Sequence, residues 1–349
     1  MSLCIDHEKL LAYGKKALFY YDLPGLAFSA GTLTGEDEKE ARVCRAALGF
    51  QDLPSGRPLK EEHIFHMASV TKLFVGTAIL QLWERGLLSP GDFLTKHLPD
   101  FSMADPRYRD VTLGLLLSHT AGMPDVSDYH WDAPETDEGA LLRYVLSPEV
   151  KESRLLWAPG RGGFAYSNMG YEALGAVIAA VSGLSFEDYI EENIFRPLGM
   201  GNSGLLTFHR DMSSVATPHI KDSENHIVPA PHFPYNRAHG PSSTLTSDLA
   251  DMEKWAAAHL RQELLKPDSY AAAWTPVATV PNNGEEICLS WFRRKQEGLV
   301  LYGHEGTDDG FRASFWICPE LKTWVVVCSN LSAAPVKKIN KELFRLLLG

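Results

Sequence analysis

A serine placed three residues ahead of a lysine, Ser69-Val70-Thr71-Lys72, opens a long apolar stretch of the chain. On a helix this spacing puts both side chains on one face with Cβ atoms about 5–6 Å apart, so the amine can reach the hydroxyl. A serine near a helix N-terminus also sits where the dipole favours developing negative charge. A lysine held neutral by burial and by nearby positive groups can then take the hydroxyl proton. The chemistry is that of an activated nucleophile. Taken alone the pattern is weak, because about one Ser-x-x-Lys arises by chance in a chain of this composition.

Two further segments offer what such a nucleophile needs. Tyr166-Ser167-Asn168 follows the loop Pro159-Gly160-Arg161-Gly162-Gly163, whose glycines let backbone approach a ligand. A phenol beside Lys72 is expected to ionise more easily, so Tyr166 could share the proton relay, while the Asn168 amide could hold Lys72 or a substrate carbonyl. Gly303-His304-Glu305-Gly306-Thr307 ends a predicted strand, and Gly306 permits close substrate approach along that edge. The Thr307 N–H could pair with the Ser69 N–H as an oxyanion hole. Glu305 adds an anion near that edge, although strand alternation could point it away from the pocket. Each segment taken singly reads as a loop or a hairpin turn with an exposed His304.

Other chemistries find less support. His304-Glu305 is followed by Asp308 where a zinc-binding H-E-x-x-H helix needs its second histidine. His219, His226, His232 and His239 never fall four residues apart, and they read as the surface of a loop, not a metal cluster. No serine has G-x-S-x-G flanks, the nearest approach being Ala27-Phe28-Ser29-Ala30-Gly31, and no phosphate loop is present. His119, in the turn Ser118 to Gly122, reads as a loop-holding hydrogen-bonding group and not as a general base. Trp291, Trp316 and Trp324 read as core packing before substrate platforms.

The elements that must position these residues follow from periodicity. Two short strands, Ala27–Ala30 and Arg42–Leu48, flank a charged turn at Gly35–Glu40. Val70–Leu82 is apolar on nearly every face and reads as a buried central helix. Helical patterns follow at Leu113–Leu117, Glu138–Leu146, Gly170–Val181 with a stop at Gly183, and Phe186–Phe195 with a stop before Pro197. His219–Pro241 is rich in Pro and His without period and is expected to be a long loop bordering the site; a helix over Asp248–Leu260 comes next. Runs at Ile287–Phe292, Leu299–Tyr302, Phe311–Ile317 and Thr323–Cys328 predict an antiparallel meander, and Val336–Leu348 carries a helical apolar stripe. Strands at both ends with helices between predict one sheet built from both termini around a helical insertion.

With 349 residues the chain has ample length for a core, and 45% hydrophobic and 22% charged residues exclude disorder and coiled coil as the main architecture. A net charge of −11, spread along the chain, would repel a phosphate backbone and argues against nucleic acid as a partner. Cys4, Cys44, Cys288, Cys318 and Cys328 form no C-x-x-C pair and read as reduced thiols. The first twenty residues are interrupted by charges, so they offer neither a signal-peptide core nor a membrane span, and the cytoplasm is the default expectation. If Met1-Ser2-Leu3 replaces a natural start, a removed leader would leave no trace.

As a set, Ser69-Val-Thr-Lys72, Tyr166-Ser-Asn168 and His304-Glu-Gly306 resemble, in order and separation, the three motifs of serine hydrolases related to class C β-lactamases, DD-peptidases and family VIII esterases. The likeness runs through Leu117-Ser-His-Thr-Ala-Gly122, Pro159-Gly160, Gly170-Tyr171 and Ile194-Phe-Arg-Pro-Leu-Gly-Met200, and covers roughly Leu26 to Asn330. It implies Ser69 as acylated nucleophile, Lys72 and Tyr166 as the proton-transfer pair, Asn168 as orienting amide, and Ser69 and Thr307 N–H groups as oxyanion hole, with His304 and Gly306 on the substrate-binding strand. It implies an α/β (α+β) fold of the β-lactamase/transpeptidase type, an antiparallel sheet flanked by N- and C-terminal helices. Residues 1–92 and 241–349 would form this sandwich and residues 93–240 a mostly helical insertion, with the site between them and neither metal nor cofactor. Relatives that hydrolyse β-lactams usually carry lysine where His304 stands, so a carboxylate-bearing substrate is disfavoured. The expected activity is an acyl-enzyme hydrolase of small esters, short amides or peptides. A DD-peptidase or β-lactamase, or a catalytically silent binding protein on the same fold, are the alternatives; oligomeric state is not legible.

Overall fold

The computed structural model describes residues 5–35 and 38–348. Cys4 and part of the expected Gly35–Glu40 turn lie outside them. Helix α1 (His7–Tyr20) starts at Asp6, whose carboxylate accepts the Lys9 N–H. Strands β1 (Gly25–Thr34) and β2 (Glu40–Asp52) pair antiparallel along their length, β3 (Arg57–Pro58) edges β2, and β4 (Phe65–His66) leads through a 3₁₀ turn, Ala68–Val70, into α2 (Thr71–Glu84). Every α2 residue from Thr71 to Leu82 is buried, which is why its apolar pattern has no polar face.

A body of helices follows: α3 (Leu94–His97), α4 (Leu113–Leu117), α5 (Ala140–Val145), α6 (Pro148–Glu152), α7 (Asn168–Ser182), α8 (Phe186–Ile190) and α9 (Arg196–Leu198). Helix α7 begins on a Ser167 cap and stops at Gly183 in the left-handed region, φ 75°. The expected stop before Pro197 is corrected. A π-helical turn at Glu191–Phe195 admits the proline in the first turn of α9, and the stop falls instead at Gly199, φ 65°.

The stretch His219–Pro241 is also not a plain loop. It holds the hairpin β5 (His219–Lys221) and β6 (Ile227–Pro229), a 3₁₀ turn at Arg237–His239 and the start of α10 (Gly240–Ser243). His219 and His239 are buried there, contrary to a surface reading for all four histidines, because His219 hydrogen-bonds the Asn330 carbonyl and His239 faces Glu172. His226 and His232 are exposed. Then come β7 (Thr246–Ser247), α11 (Leu249–Leu260), α12 (Pro267–Trp274), β8 (Ala278–Thr279), β9 (Glu286–Ile287), β10 (Phe292–Gln296), β11 (Leu299–Asp308), β12 (Phe311–Cys318), β13 (Thr323–Ser329) and α13 (Val336–Leu348). The single strand expected over Ile287–Phe292 is split into β9 and β10. Ser290 turns left-handed, φ 69°, so that its hydroxyl can accept from Tyr171 while the chain presses on Gly76 of α2.

Nine strands form one sheet in the order β3-β2-β1-β13-β12-β11-β10-β9-β8, its interior pair β1·β13 joining the two ends of the chain. Central strand β13, Thr323–Ser329, is buried on both faces. Trp324, Val326 and Cys328 enter the core shared with α2 and α11, whereas Val325 and Val327 enter the core under α1 and α13. Phe74 of α2 stacks on Trp255 of α11 at 3.8 Å between centroids, anchoring α2 to the sheet side; burying a ring this size is worth about 2–3 kcal/mol. Among the described residues no single helix is long and apolar enough to cross a membrane, and Cys44, Cys288, Cys318 and Cys328 are unpaired and buried.

Candidate active site

Lys72, Ser69, Tyr166 and Asn168 converge where α2, α7 and β11 meet. Ser69 lies in the 3₁₀ turn just before α2, Lys72 in the first turn of α2, and Asn168 opens α7. The Lys72 Nζ sits 3.0 Å from Ser69 Oγ, 2.6 Å from Asn168 Oδ1 and 2.8 Å from the Ser242 carbonyl. Two of these partners can only accept and the third is a hydroxyl. A neutral amine therefore satisfies the site completely, donating its two N–H bonds to Asn168 and Ser242 and offering its lone pair to the serine proton.

Burial drives the Lys72 pKa down to about 8, with Glu172, Asp308 and Asp125 pulling the other way. The lowering thus comes from desolvation, with no positive neighbour contributing to it. The Tyr166 hydroxyl bonds Ser69, and its ring lies 5.0 Å from Lys72 Nζ. Its ionisation is pushed well upward by burial, which corrects the expectation of an easily formed tyrosinate: desolvation of the phenolate outweighs the nearby amine. Tyr166 keeps its proton at neutral pH and is suited to give one.

His119 holds this arrangement. Its Nδ1 accepts the Ser167 N–H at 3.1 Å and its ring stacks on Tyr166 at 4.3 Å. Its φ of 54° is a left-handed conformation that this bonding keeps in place.

A cavity of about 370 Å³ opens over Ser69, with Tyr166, Asn168, His304 and Thr307 in its wall. One side is the edge of β11. Strand β12 pairs with Tyr302–Asp308, but β10 covers only Leu299–Gly303, so His304 to Asp308 present an uncovered backbone edge to the cavity. Gly306 is required there, because a Cβ would meet the Met67 carbonyl oxygen at 2.2 Å. His304 is 2% exposed and held neutral, its pKa lowered to about 3 chiefly by burial. Its Nδ1 contacts the Glu305 carbonyl at 2.6 Å, and Phe292 packs on its ring. Glu305 is on the opposite sheet face, accepting from Trp316 Nε1 at 2.7 Å, yet it also lines the cavity, which wraps around the uncovered edge. Alternation thus turns it to the other face, yet its anion stays near the pocket. Trp316 is buried and forms part of the same wall.

The sequence reading expects the segment Pro124–Pro134 to shape the pocket, and it does, but the individual lining groups were not singled out. Asp125 and Tyr129 come from the segment before Pro134, and Phe292 and Asp308 flank the third motif. Asp125 is exposed, and its Oδ1 accepts the Asn168 N–H and side-chain amide at 2.8 and 2.9 Å. Nothing local marks it, because its partner is 43 residues away. No residue of the His-rich stretch 219–241 lines this cavity, against expectation. A larger groove of about 570 Å³ between α1 and α13 holds tyrosines, lysines and glutamates but no serine, cysteine or histidine, so Ser69, Tyr166, Asn168 and His304 lie on the smaller cavity.

A helix-and-antiparallel-sheet fold that brings Ser-x-x-Lys, Tyr-x-Asn and His-x-Gly together around one cavity is that of the penicillin-binding-protein-like serine hydrolase class. The Beta-lactamase family model matches residues 35–348, and the chain belongs to that family. It is similar to Protein flp of Staphylococcus aureus (strain N315), 28% identical over 302 residues covering 84% of this chain and 58% of the relative. It is also similar to Penicillin-binding protein 4* of Bacillus subtilis (strain 168), 27% identical over 69% of this chain and 54% of the relative. The chain thus spans little more than half the length of these curated relatives. Among solved structures, an octameric penicillin-binding protein homologue from Pyrococcus abyssi superposes with a TM-score of 0.84 at 26% identity, over 99% of this chain and 78% of that one. A D-amino acid amidase from Ochrobactrum anthropi shares the fold, with a TM-score of 0.82 at 19% identity and 99% coverage of both chains.

Proposed function

We propose that this protein is a serine acyl-hydrolase that acts on amides or esters of small, amine-bearing acyl groups through a Ser69 acyl-enzyme. The observation that carries the reading is the 3.0 Å contact between Ser69 Oγ and a Lys72 amine whose other partners are pure acceptors. Neutral Lys72 takes the Ser69 proton as Oγ attacks the carbonyl carbon. The Ser69 and Thr307 N–H groups stabilise the oxyanion. Tyr166 passes a proton to the departing nitrogen or oxygen and is reprotonated from Lys72 as the bond to the leaving group breaks. Water, deprotonated by the same pair, then releases the acid.

Charge supports the amine-bearing class. The Asp125 carboxylate is bonded only to neutral donors, Asn168 and the Val126 N–H, and lies at the mouth beside Ser69. Cations are engaged elsewhere: Lys337 with Glu285 at 2.6 Å, and Arg312 with the Thr307 hydroxyl and the Ser332 carbonyl. His304 is neutral. A substrate ammonium finds a carboxylate here, whereas a substrate carboxylate finds no free cation among the described residues. The D-amino acid amidase of like fold, complexed with L-phenylalanine amide, holds an acyl group of this kind. The test compares p-nitroanilides of phenylalanine, in both stereoisomers, with their N-acetyl forms. The free amines should be turned over at least about tenfold faster in kcat/KM, and Asp125→Asn, which keeps the acceptor for Asn168, should bring the ratio toward one. Equal turnover of free and acetylated forms by the wild type would sink the amine assignment.

The pH profile follows from Lys72. Only its neutral form accepts a proton, so kcat/KM on the N-acetyl substrate, which has no titrating amine, should rise about tenfold per pH unit below a limb near 8 and level off above it. Glu172, fully buried, is the largest charge raising that value. Glu172→Gln should therefore move the limb to lower pH. A rate flat from pH 6 to 9 in the wild type would remove Lys72 as the base.

A further inference from the structure

We propose that His66 and Asp308 form a buried positioning pair that fixes the two oxyanion donors, the N–H groups of Ser69 and Thr307, relative to each other. This rests on the acyl-transfer reading above. His66 ends β4, three residues before Ser69, and Asp308 ends β11, directly after Thr307. The two donors thus belong to separate segments of chain, and their separation is set by whatever joins those segments. Two contacts do so. Gly306 lies against the Met67 carbonyl so closely that a Cβ would meet it at 2.2 Å. One residue before Met67 and two residues after Gly306, His66 Nε2 meets Asp308 Oδ2 at 2.7 Å.

The side chains of the pair are 0% and 8% exposed. His66 is packed between Phe233 and Phe311, each with its ring centroid 5.7 Å away, and its Nδ1 is buried without a partner. Such a pair is a poor way to gain stability, because an apolar side chain in the same space would avoid the desolvation cost and the unpaired nitrogen. What an apolar side chain cannot supply is a directional link from the nucleophile segment to the carboxylate beside Thr307. The need for one is visible in the backbone between them. Ala68 is left-handed, φ 47°, immediately before Ser69, a conformation an alanine keeps only when its flanks are held. Tie points on both sides hold it: the Met67 N–H donates to the Leu245 carbonyl at 2.7 Å, and Thr71 Oγ1 donates to the Ala68 carbonyl at 2.6 Å.

The test measures phosphonylation of Ser69 by a fluorophosphonate, followed by intact mass, in the wild type, His66→Phe, Asp308→Ala, Asp308→Asn, and the double variant His66→Phe/Asp308→Ala. The maximal labelling rate should fall about tenfold in His66→Phe and in Asp308→Ala, with the half-saturating probe concentration within about twofold of wild type. The double variant should be no slower than either single one. Asp308→Asn, whose amide oxygen still accepts from His66, should stay within about threefold. The double variant, which leaves no carboxylate buried without its partner, should melt close to the wild type while its rate stays low, which separates positioning from a structural role. Labelled wild type with variant rates within twofold of it overturns the pair while leaving the acyl-transfer reading intact. Lower melting of the double variant in proportion to its lost rate also overturns it. Failure of the wild type to label at Ser69, where Ser69→Ala labels no less, overturns the reading on which the pair rests.

Discussion

Ser69→Ala should abolish turnover of every substrate the protein accepts, lowering kcat by on the order of 10⁴-fold or more while leaving the melting temperature close to that of the wild type. The size follows from what is removed. Without Oγ no covalent acyl-enzyme forms, and what survives is the contribution of bound substrate and oxyanion donors to direct attack by water. The small effect on stability follows from where Ser69 sits. Its hydroxyl contacts only Lys72 and Tyr166, at the floor of an open cavity, and the backbone of its 3₁₀ turn is held by neighbours. Removing Oγ leaves Lys72 Nζ its bonds to Asn168 and Ser242. The measurement is hydrolysis of the phenylalanine p-nitroanilides beside calorimetric melting. Undiminished hydrolysis by the variant would falsify the nucleophile assignment, and a collapse in melting temperature would mean that Ser69 is structural.

How much of this was legible in the sequence depends on whether a residue's partner is near it in the chain. Ser69 and Lys72 were legible because a three-residue spacing on a helix fixes their contact locally. Helix α4 was placed at its observed ends, Leu113–Leu117, because Thr112 caps it and Ser118 ends it. Strand β13 was recognisable as a continuous apolar run because it is buried on both faces. Where tertiary contacts decided, the pattern misled. The run Ile287–Phe292 looks like one strand, yet Ser290 is drawn out of line to meet Tyr171 and the Leu117 carbonyl. Phe186–Phe195 looks like a helix that Pro197 must end, yet a π turn carries the chain past it.

The same division runs through the site. Motif order marked Tyr166, Asn168, His304, Gly306 and Thr307, and all of them except Gly306, which packs on Met67, line the cavity with Ser69. The protonation states were less legible. Proximity of Lys72 suggested an easily ionised Tyr166, but complete burial dominates and the phenol stays protonated. Asp125 and the His66–Asp308 pair, joined across 43 and 242 residues, had no local signature at all.

Lys72→Ala should lower kcat by about 10³- to 10⁴-fold, and combining it with Ser69→Ala should cost almost nothing more, because base and nucleophile act as one unit. The buried amine has three partners and no solvent contact, so no outside base can reach the Ser69 proton along the same path. Its removal has a structural side. Asn168 Oδ1 and the Ser242 carbonyl lose their donor, a loss of about 1–3 kcal/mol per buried acceptor, set against relief from burying an amine that desolvation already disfavours in its charged form. The net change in stability is therefore expected to be modest, about 2 kcal/mol or less. Tyr166→Phe should keep the Lys72 contact and lower kcat by about 10²-fold, with the larger loss on the p-nitroanilide than on a p-nitrophenyl ester, because the anilide nitrogen must be protonated as it leaves and nitrophenolate need not be. The alkaline plateau discriminates further. Tyr166→Phe should retain the limb near pH 8, since Lys72 is still the base, whereas whatever rate remains in Lys72→Ala should show no limb there. An unchanged limb in Lys72→Ala would assign the titration to another group and transfer the role of base away from Lys72.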